Sequence, residues 1–144
     1  MKDALWLDRF IEVYSSLSPY NLHLLRDVYH ADVEFTDPMH RVEGIQALLL
    51  YFDNIYTQVT HCDFVIEHVF RSESEAAVYW KMTFIHNKLN GKQPITVQGH
   101  SHIKAKDDLV IFHRDYLDLG AMLYEHLPLI GSLVKTIKQR ASTS

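Results

Sequence analysis

Cysteine is almost absent: Cys62 is the only one in 144 residues. No disulfide can form within the chain, and a reducing compartment fits. Long apolar runs are also missing, and nothing approaches the roughly 20 residues needed to span a bilayer. Positive charge is not in excess, since 14 Lys and Arg face 18 Asp and Glu, for a net charge of −4 with neutral histidines. Nothing in that balance draws the chain to nucleic acid or to an acidic membrane surface. There is no internal repeat and no low-complexity segment. A glycine-rich phosphate loop, a dinucleotide fingerprint, an HExxH pair and a calcium loop are likewise lacking, which disfavours phosphoryl and hydride transfer. The stretch MKDALWLDRFIEVY carries acidic residues through its apolar part and does not read as a secretory signal. The expectation is a cytoplasmic protein with no cofactor and no nucleic-acid or membrane partner.

What is present suits one ordinary domain with a sizeable core: 47% of residues are hydrophobic and 22% charged. A single domain over residues 1–140 is expected, with 141–144 as a flexible tail. Ten histidines make the net charge sensitive to mild acid. Trp6, Phe10, Val13, Tyr14 and Leu17 recur at helical spacing. Ser18 and Pro19 read as the cap and first residue of a short second helix. A brief strand over Ala31 to Phe35 stops at Asp37-Pro38, and a third helix from about Val42 to Val59 aligns Ile45, Leu49, Phe52, Tyr56 and Val59. The period then changes. Cys62 to Phe70, Ala76 to His86, Ile95 to Ala105 and Leu109 to Tyr116 read as strands, separated by short turns that include Asn90-Gly91 and Lys106-Asp107-Asp108. Asp118 is placed to cap a helix over Leu119 to His126, and Pro128 to open another turn. Helices first, then antiparallel strands, then a closing helix is an α+β order.

Strand alternation puts Leu109, Ile111, His113 and Asp115 on one face of the last strand. An imidazole and a carboxylate on an otherwise oily face suggest a ligand pocket, where desolvation of a carboxylate suits proton transfer near neutrality. The alternative is a buried acceptor with no chemistry. In FTDPMH, Asp37 serves equally as a turn cap or as a pocket carboxylate, with His40 beside it. Tyr14 lies on the inward face of the first helix and needs a partner for its hydroxyl. Val78, Trp80, Met82 and Phe84 share a face that is either core or ligand wall. Gly99, beside Ser101, leaves room for a ligand or permits a bend. His100-Ser101-His102 invites a metal reading, but the site type that would use it is almost all β, and about 60 helical residues come first; no metal is assigned. Lys135, Lys138 and Arg140 suit the end of a helix.

This order, with Tyr14 on the first helix, Asp37-Pro38 after the first strand and Arg114-Asp115-Tyr116 before the last helix, resembles the SnoaL-like branch of the nuclear transport factor 2-like superfamily. The ending is similar to that of bacterial members with an HRDY(W/F)D stretch followed by GxxLYExLPxLG, here His113 to Asp118 and Gly120 to Gly131. The resemblance covers essentially the whole chain. It implies a cone-shaped, curved antiparallel sheet wrapped on N-terminal helices into an α+β barrel, with a C-terminal helix. It also implies a homodimer and a pocket for a hydrophobic small molecule. The ketosteroid isomerases of this superfamily use an aspartate before a proline and a helix-one tyrosine, positions matched by Asp37 and Tyr14; their second acid corresponds to Ser101. Limonene-epoxide hydrolases and polyketide cyclases carry a last-strand aspartate, matched by Asp115. The implied function is binding, with metal-free acid-base catalysis of isomerase, cyclase or hydrolase type on an oxygen-bearing substrate, or a non-catalytic ligand-binding or regulatory dimer. Asp37, Asp115, Tyr14, His113 and His40 are the candidate catalytic residues, and Trp80, Tyr56, Phe52, Gly99 and Ser101 the candidate ligand contacts.

Overall fold

The computed structural model describes residues 4–127 and 130–143. Pro128, read above as a helix start, Ser144 of the expected tail, and the first three residues of the amino-terminal stretch lie outside them. Helix α1 (Leu5–Ser15) buries Trp6, Leu7, Phe10, Val13 and Tyr14, the stripe its spacing anticipated. The chain does not then start a helix at Ser18. The Asn21 side chain instead accepts from the Ser18 N–H at 2.7 Å and donates to the Ser16 carbonyl at 2.7 Å, fixing a turn. A 3-10 segment, Leu22–Asp27, follows and buries Leu25.

Strand β1 (Tyr29–Thr36) turns at Asp37-Pro38 into a three-residue β2 (Arg41–Glu43), where Val42 pairs with Phe35. The third helix therefore begins later than its apolar stripe suggested. Gly44, at φ +86°, takes the left-handed backbone that ends β2, and α2 runs Ile45–Tyr56 with Leu48, Phe52 and Tyr56 buried at successive fourth positions. The long strands are β3 (Val59–Ser72), β4 (Glu75–His86), β5 (Ile95–Lys106) and β6 (Leu109–Leu117). Asp107 and Asp108 both take positive φ, the conformation a tight hairpin between β5 and β6 requires.

The six strands form one sheet in the order β2-β1-β6-β5-β4-β3. This corrects the expected cone-shaped, all-antiparallel barrel in two respects. β1 runs parallel to β6, a direction open to it because the two are far apart in the chain and no hairpin joins them. The sheet is also open: its edges, β2 and β3, are not paired with one another, and the short β2 gives way at once to α2. What holds is an α+β layering in which α1 packs on β3 and α2 on β1 and β3. The core between the layers centres on Phe10, Leu25, Val33, Phe35, Leu48, Val78, Ile103 and Val110. The other face of the sheet is exposed and carries stacked rings, with Tyr79 and Tyr116 on either side of His100 at 4.8 and 4.9 Å.

Past β6, the Asp118 carboxylate accepts from the Ala121 N–H and starts α3 (Leu119–Met122), which passes into a 3-10 turn at Tyr124–His126. Helix α4 (Ile130–Ser142) takes in Ala141 and Ser142. Lys138 ties it back through Asp118 at 2.5 Å and Glu125 at 2.9 Å. That bond is the main reason the Asp118 carboxyl sits below its ordinary range. Among the described residues no helix is long and apolar enough to cross a membrane.

Gly99 does not open space for a ligand. A β-carbon there would lie 2.5 Å from the Trp80 ring and 2.6 Å from the Tyr116 carbonyl, so the bare backbone is the seat of the indole. Gly99→Ala should overpack this seat and lower stability by about 1–3 kcal/mol, measured as a fall in the denaturation midpoint.

Candidate functional site

An apolar cavity of about 310 Å³ lies between α2 and the helix-facing side of β4 and β6. This is the low end of the range for small-molecule pockets, about 300–1,000 Å³. Phe52 and Tyr56 reach it from α2, and Trp80, Met82 and Phe84 from alternate positions of β4. Exposed Pro38 and Met39 and half-buried Met122 and Leu123 also border it. Its acidic groups are Asp37 and Asp115, and Tyr14 contributes from α1.

How β6 delivers Asp115 differs from simple alternation. β5 and β6 change register between Lys104↔Phe112 and Ala105↔Val110, a bulge that places Val110, not Ile111, on the buried side with His113. The oily face inferred for Leu109 and Ile111 is therefore not the face of His113. Downstream of the bulge the alternation resumes, with His113 buried and Asp115 and Leu117 bordering the cavity.

Asp115 ends a buried chain of hydrogen bonds. The Trp80 indole N–H donates to Ser101 Oγ at 2.9 Å, and Ser101 donates its own proton to Asp115 Oδ1 at 2.5 Å. His113 Nε2 lies 2.6 Å from the same Oδ1. On its other side His113 Nδ1 is 2.6 Å from the Tyr29 hydroxyl, which is 2.5 Å from that of Tyr14. The Oδ1 atom is thus held by two groups. Among the described residues no side chain bonds Oδ2, and Asp115 is one of the residues that border the cavity. Phe10 and Phe35 pack on the His113 ring at 5.6 and 4.7 Å and keep water from it.

Asp37 is differently employed. Its Oδ1 accepts the backbone N–H groups of Met39 and His40, each at 2.8 Å, and Tyr51 donates to its Oδ2. Oδ1 is engaged in the turn that sequence reading gave as the alternative to chemistry, and Oδ2 is held from α2 by Tyr51. His40 is exposed and packs its ring against Tyr51 at 5.3 Å. Of the ten candidate residues, Tyr14, Asp37, Asp115, Phe52, Tyr56 and Trp80 border the cavity. His113 and Ser101 lie behind it as partners of Asp115, and Gly99 seats Trp80.

Sequence reasoning missed Tyr29, Tyr51, Cys62 and His86. Tyr29 belongs to a strand start placed two residues too late, and Tyr51 lies off the apolar stripe of α2. Burial pushes the hydroxyls of Tyr14 and Tyr29 well above the ordinary tyrosine range, Tyr14 with help from the Asp115 charge and Tyr29 from its Tyr14 partner. Burial does the same to Tyr51, aided by its bond to Asp37. These phenols stay protonated and act as donors. His86, at the cavity, is shifted down by burial and by Lys88, and its Nδ1 accepts the Lys88 N–H at 3.0 Å. Among the described residues no group of three His, Cys, Asp or Glu side chains is arranged to hold a metal ion.

Cys62 also borders the cavity, where the Tyr56 hydroxyl points at its sulfur at 3.5 Å, and burial raises its thiol to about 11. It should react with a disulfide reagent at pH 8 about 100-fold more slowly in the native protein than in denaturant, because the thiolate is the reacting form. An acid whose folded value is raised binds its proton longer in the folded state, so stability falls as pH rises. For Cys62 the loss should run from pH 9 to about 11 and reach about 3 kcal/mol, and Cys62→Ala should flatten that part of the stability curve.

A family model described as a SnoaL-like domain matches residues 7–113. A search of curated proteins finds no match. Solved structures share the fold at low identity. A nuclear transport factor 2-like protein of unknown function from Burkholderia pseudomallei K96243 aligns with TM-score 0.73 at 12% identity, over 85% of this chain and 96% of that one. A protein with a ketosteroid isomerase-like fold from Catenulispora acidiphila, bound to trimethylamine, aligns with TM-score 0.71 at 13% identity, over 85% and 93%. An LEH-like epoxide hydrolase of M. tuberculosis aligns with TM-score 0.69 at 12% identity, over 94% and 96%.

Proposed function

The chain belongs to the SnoaL-like domain family, and from that premise we propose that its cavity binds a mostly apolar, oxygen-bearing small molecule and acts on it by acid-base chemistry without a metal. Asp115 is the base and Tyr14 the donor. The observation that carries this reading is the asymmetry of the Asp115 carboxylate: Oδ1 is fixed by Ser101 and His113, Oδ2 has no side-chain partner among the described residues, and the residue borders an apolar hollow. A carboxylate held by one oxygen and poorly hydrated at the other is preorganised to take a proton from a bound molecule. Tyr14, a buried phenol that keeps its proton, is suited to stabilise the oxygen on which charge develops. His113 positions the base. Phe52, Tyr56 and Trp80 form apolar wall. Asp37, with both oxygens engaged, shapes the rim together with His40.

The deciding contrast is between two amides. Asp115→Asn should lower turnover about 10²- to 10⁴-fold in a protein that remains folded. Asp37→Asn keeps an oxygen for the turn and should retain most of the activity. The reverse order would transfer the role of base to Asp37, and unchanged turnover in both would reject both aspartates as the base. The substrate can be sought by solving the structure of protein purified without added ligand and reading the density against Asp115 Oδ2.

The exposed face of the sheet favours a second element of the reading, a homodimer. Phe70, Tyr79 and Tyr116 are 63%, 38% and 41% exposed, an unusual aromatic surface for a lone domain. Sedimentation should give twice the chain mass, and Tyr79→Glu with Phe70→Glu should give the monomer. A wild-type monomer at all concentrations would overturn the dimer without touching the pocket.

A further inference from the structure

Tyr29 does not border the cavity, yet it is the only link between the Tyr14 hydroxyl and His113 in the hydrogen bonds among the described residues. Each link in this chain is 2.5 to 2.6 Å long, which leaves room for one proton. Two would collide, and none would set lone pairs face to face in a site that water does not reach. Trp80 can only donate, so Ser101 must donate to Asp115, and His113 Nε2 fills the remaining link to Oδ1 as an N–H. With one proton on His113, Nδ1 is an acceptor. Tyr29 donates to it, and Tyr14 donates to Tyr29. In that state the Tyr14 proton is spent inside the protein and is not offered to the cavity.

We propose that Tyr29 is a relay that ties the arrival of an acceptor oxygen at Tyr14 to protonation of His113 at Nδ1. The proposal rests on the reading of the cavity given above. When a carbonyl oxygen takes the Tyr14 proton as a hydrogen bond, the link behind it must be refilled by Tyr29, and the link behind that by one further proton on Nδ1, taken up from the solvent as the molecule binds. The heavy atoms stay in place, and two hydroxyl hydrogens turn. The charged group facing the imidazolium is Asp115 on its own strand; Tyr29 of β1 and Tyr14 of α1 are the other titratable neighbours, and Phe10 and Phe35 cover the ring.

Such a loaded state has a base and an acid ready together, and it selects a substrate with a carbonyl oxygen and an acidic C–H on the neighbouring carbon. Asp115 Oδ2 takes the carbon-bound proton, and that electron pair forms the carbon-carbon double bond. The carbonyl π pair moves to oxygen, which takes the Tyr14 proton. Tyr14 is resupplied by Tyr29, and Tyr29 by Nδ1. One proton is gained at Asp115 and one lost at His113, so the protein's charge is unchanged and no oxidant or reductant is needed. Tyr29 is a positioning residue in this step, since it touches no reacting atom.

The relay can be read in protein labelled with ¹⁵N-histidine at pH 7, with His113 assigned by its absence in His113→Gln. The probes are 2-acetonaphthone, whose oxygen only accepts, and naphthalene, which has none. The ketone should abolish the unprotonated Nδ1 signal of His113, and naphthalene should leave it unchanged. The ketone should also bind about tenfold more tightly, the worth of one hydrogen bond. In Tyr29→Phe the Tyr14 hydroxyl has no internal acceptor, so the ketone should bind at least as tightly as to wild type while His113 no longer responds; a His113 response that persists without Tyr29 would overturn the relay. If the ketone binds to wild type and His113 does not respond, the relay is overturned and the cavity reading stands. If neither probe binds, both are overturned. Should Tyr29→Phe not fold, the wild-type contrast between the two probes decides alone.

Discussion

An indole N–H can donate a hydrogen bond and cannot accept one, and the polarity of the whole site follows from that. Trp80 donates to Ser101, Ser101 therefore donates to Asp115, and one oxygen of the carboxylate is committed to the protein. The indole itself is fixed by the absence of a side chain at Gly99, which lets the ring lie against the backbone of β5. A glycine two positions from Ser101, a tryptophan and an aspartate thus form one device spread over three adjacent strands. Each part would be unremarkable alone. Together they hold a carboxylate at the edge of an oily hollow with its orientation decided.

Burying so many polar groups costs several kcal/mol apiece when they are unpaired. Here every buried side-chain nitrogen and oxygen among the described residues has a partner. The strand order makes this possible. β6 sits between β1 and β5, so its inward side chains reach Tyr29 on one side and Ser101 on the other. Had the sheet been all antiparallel, the chain leaving β1 would not run alongside β6 in the register that pairs Phe35 with His113 and sends the next turn, at Asp37, to the same cavity.

Much of this was legible in the sequence, for reasons that also explain the gaps. Tyr14 was found because a helix repeats every 3.6 residues and the face of α1 is unambiguous. Asp115 and His113 stood out as polar residues on an inward strand face. The route to them was wrong, because a bulge breaks alternation without any glycine or proline to announce it. Tyr29 was out of reach: its importance comes from a parallel partner 84 positions away, and no local pattern encodes that pairing. Gly99 reads in the sequence as room for a ligand or as a bend, and sequence does not show that the Trp80 ring is the neighbour that fills the space. The closed barrel failed for a similar reason. The four long strands are written in the alternation, but the short β2 is not, and whether the edge strands meet depends on where α2 follows it.

Asp37 and Asp115 show how far residue type alone can carry a functional argument. Both are aspartates at the same cavity. A base needs a lone pair that a ligand can reach and a neighbourhood that gains by its protonation. Asp37 accepts two backbone N–H groups at one oxygen and a phenol at the other. Asp115 accepts at one oxygen from partners that remain bonded whether or not the other oxygen is protonated. Both oxygens of Asp37 are thus engaged by the protein and only one of Asp115 is, which is the ground for proposing the proline-adjacent aspartate as part of the rim and the last-strand aspartate as the base.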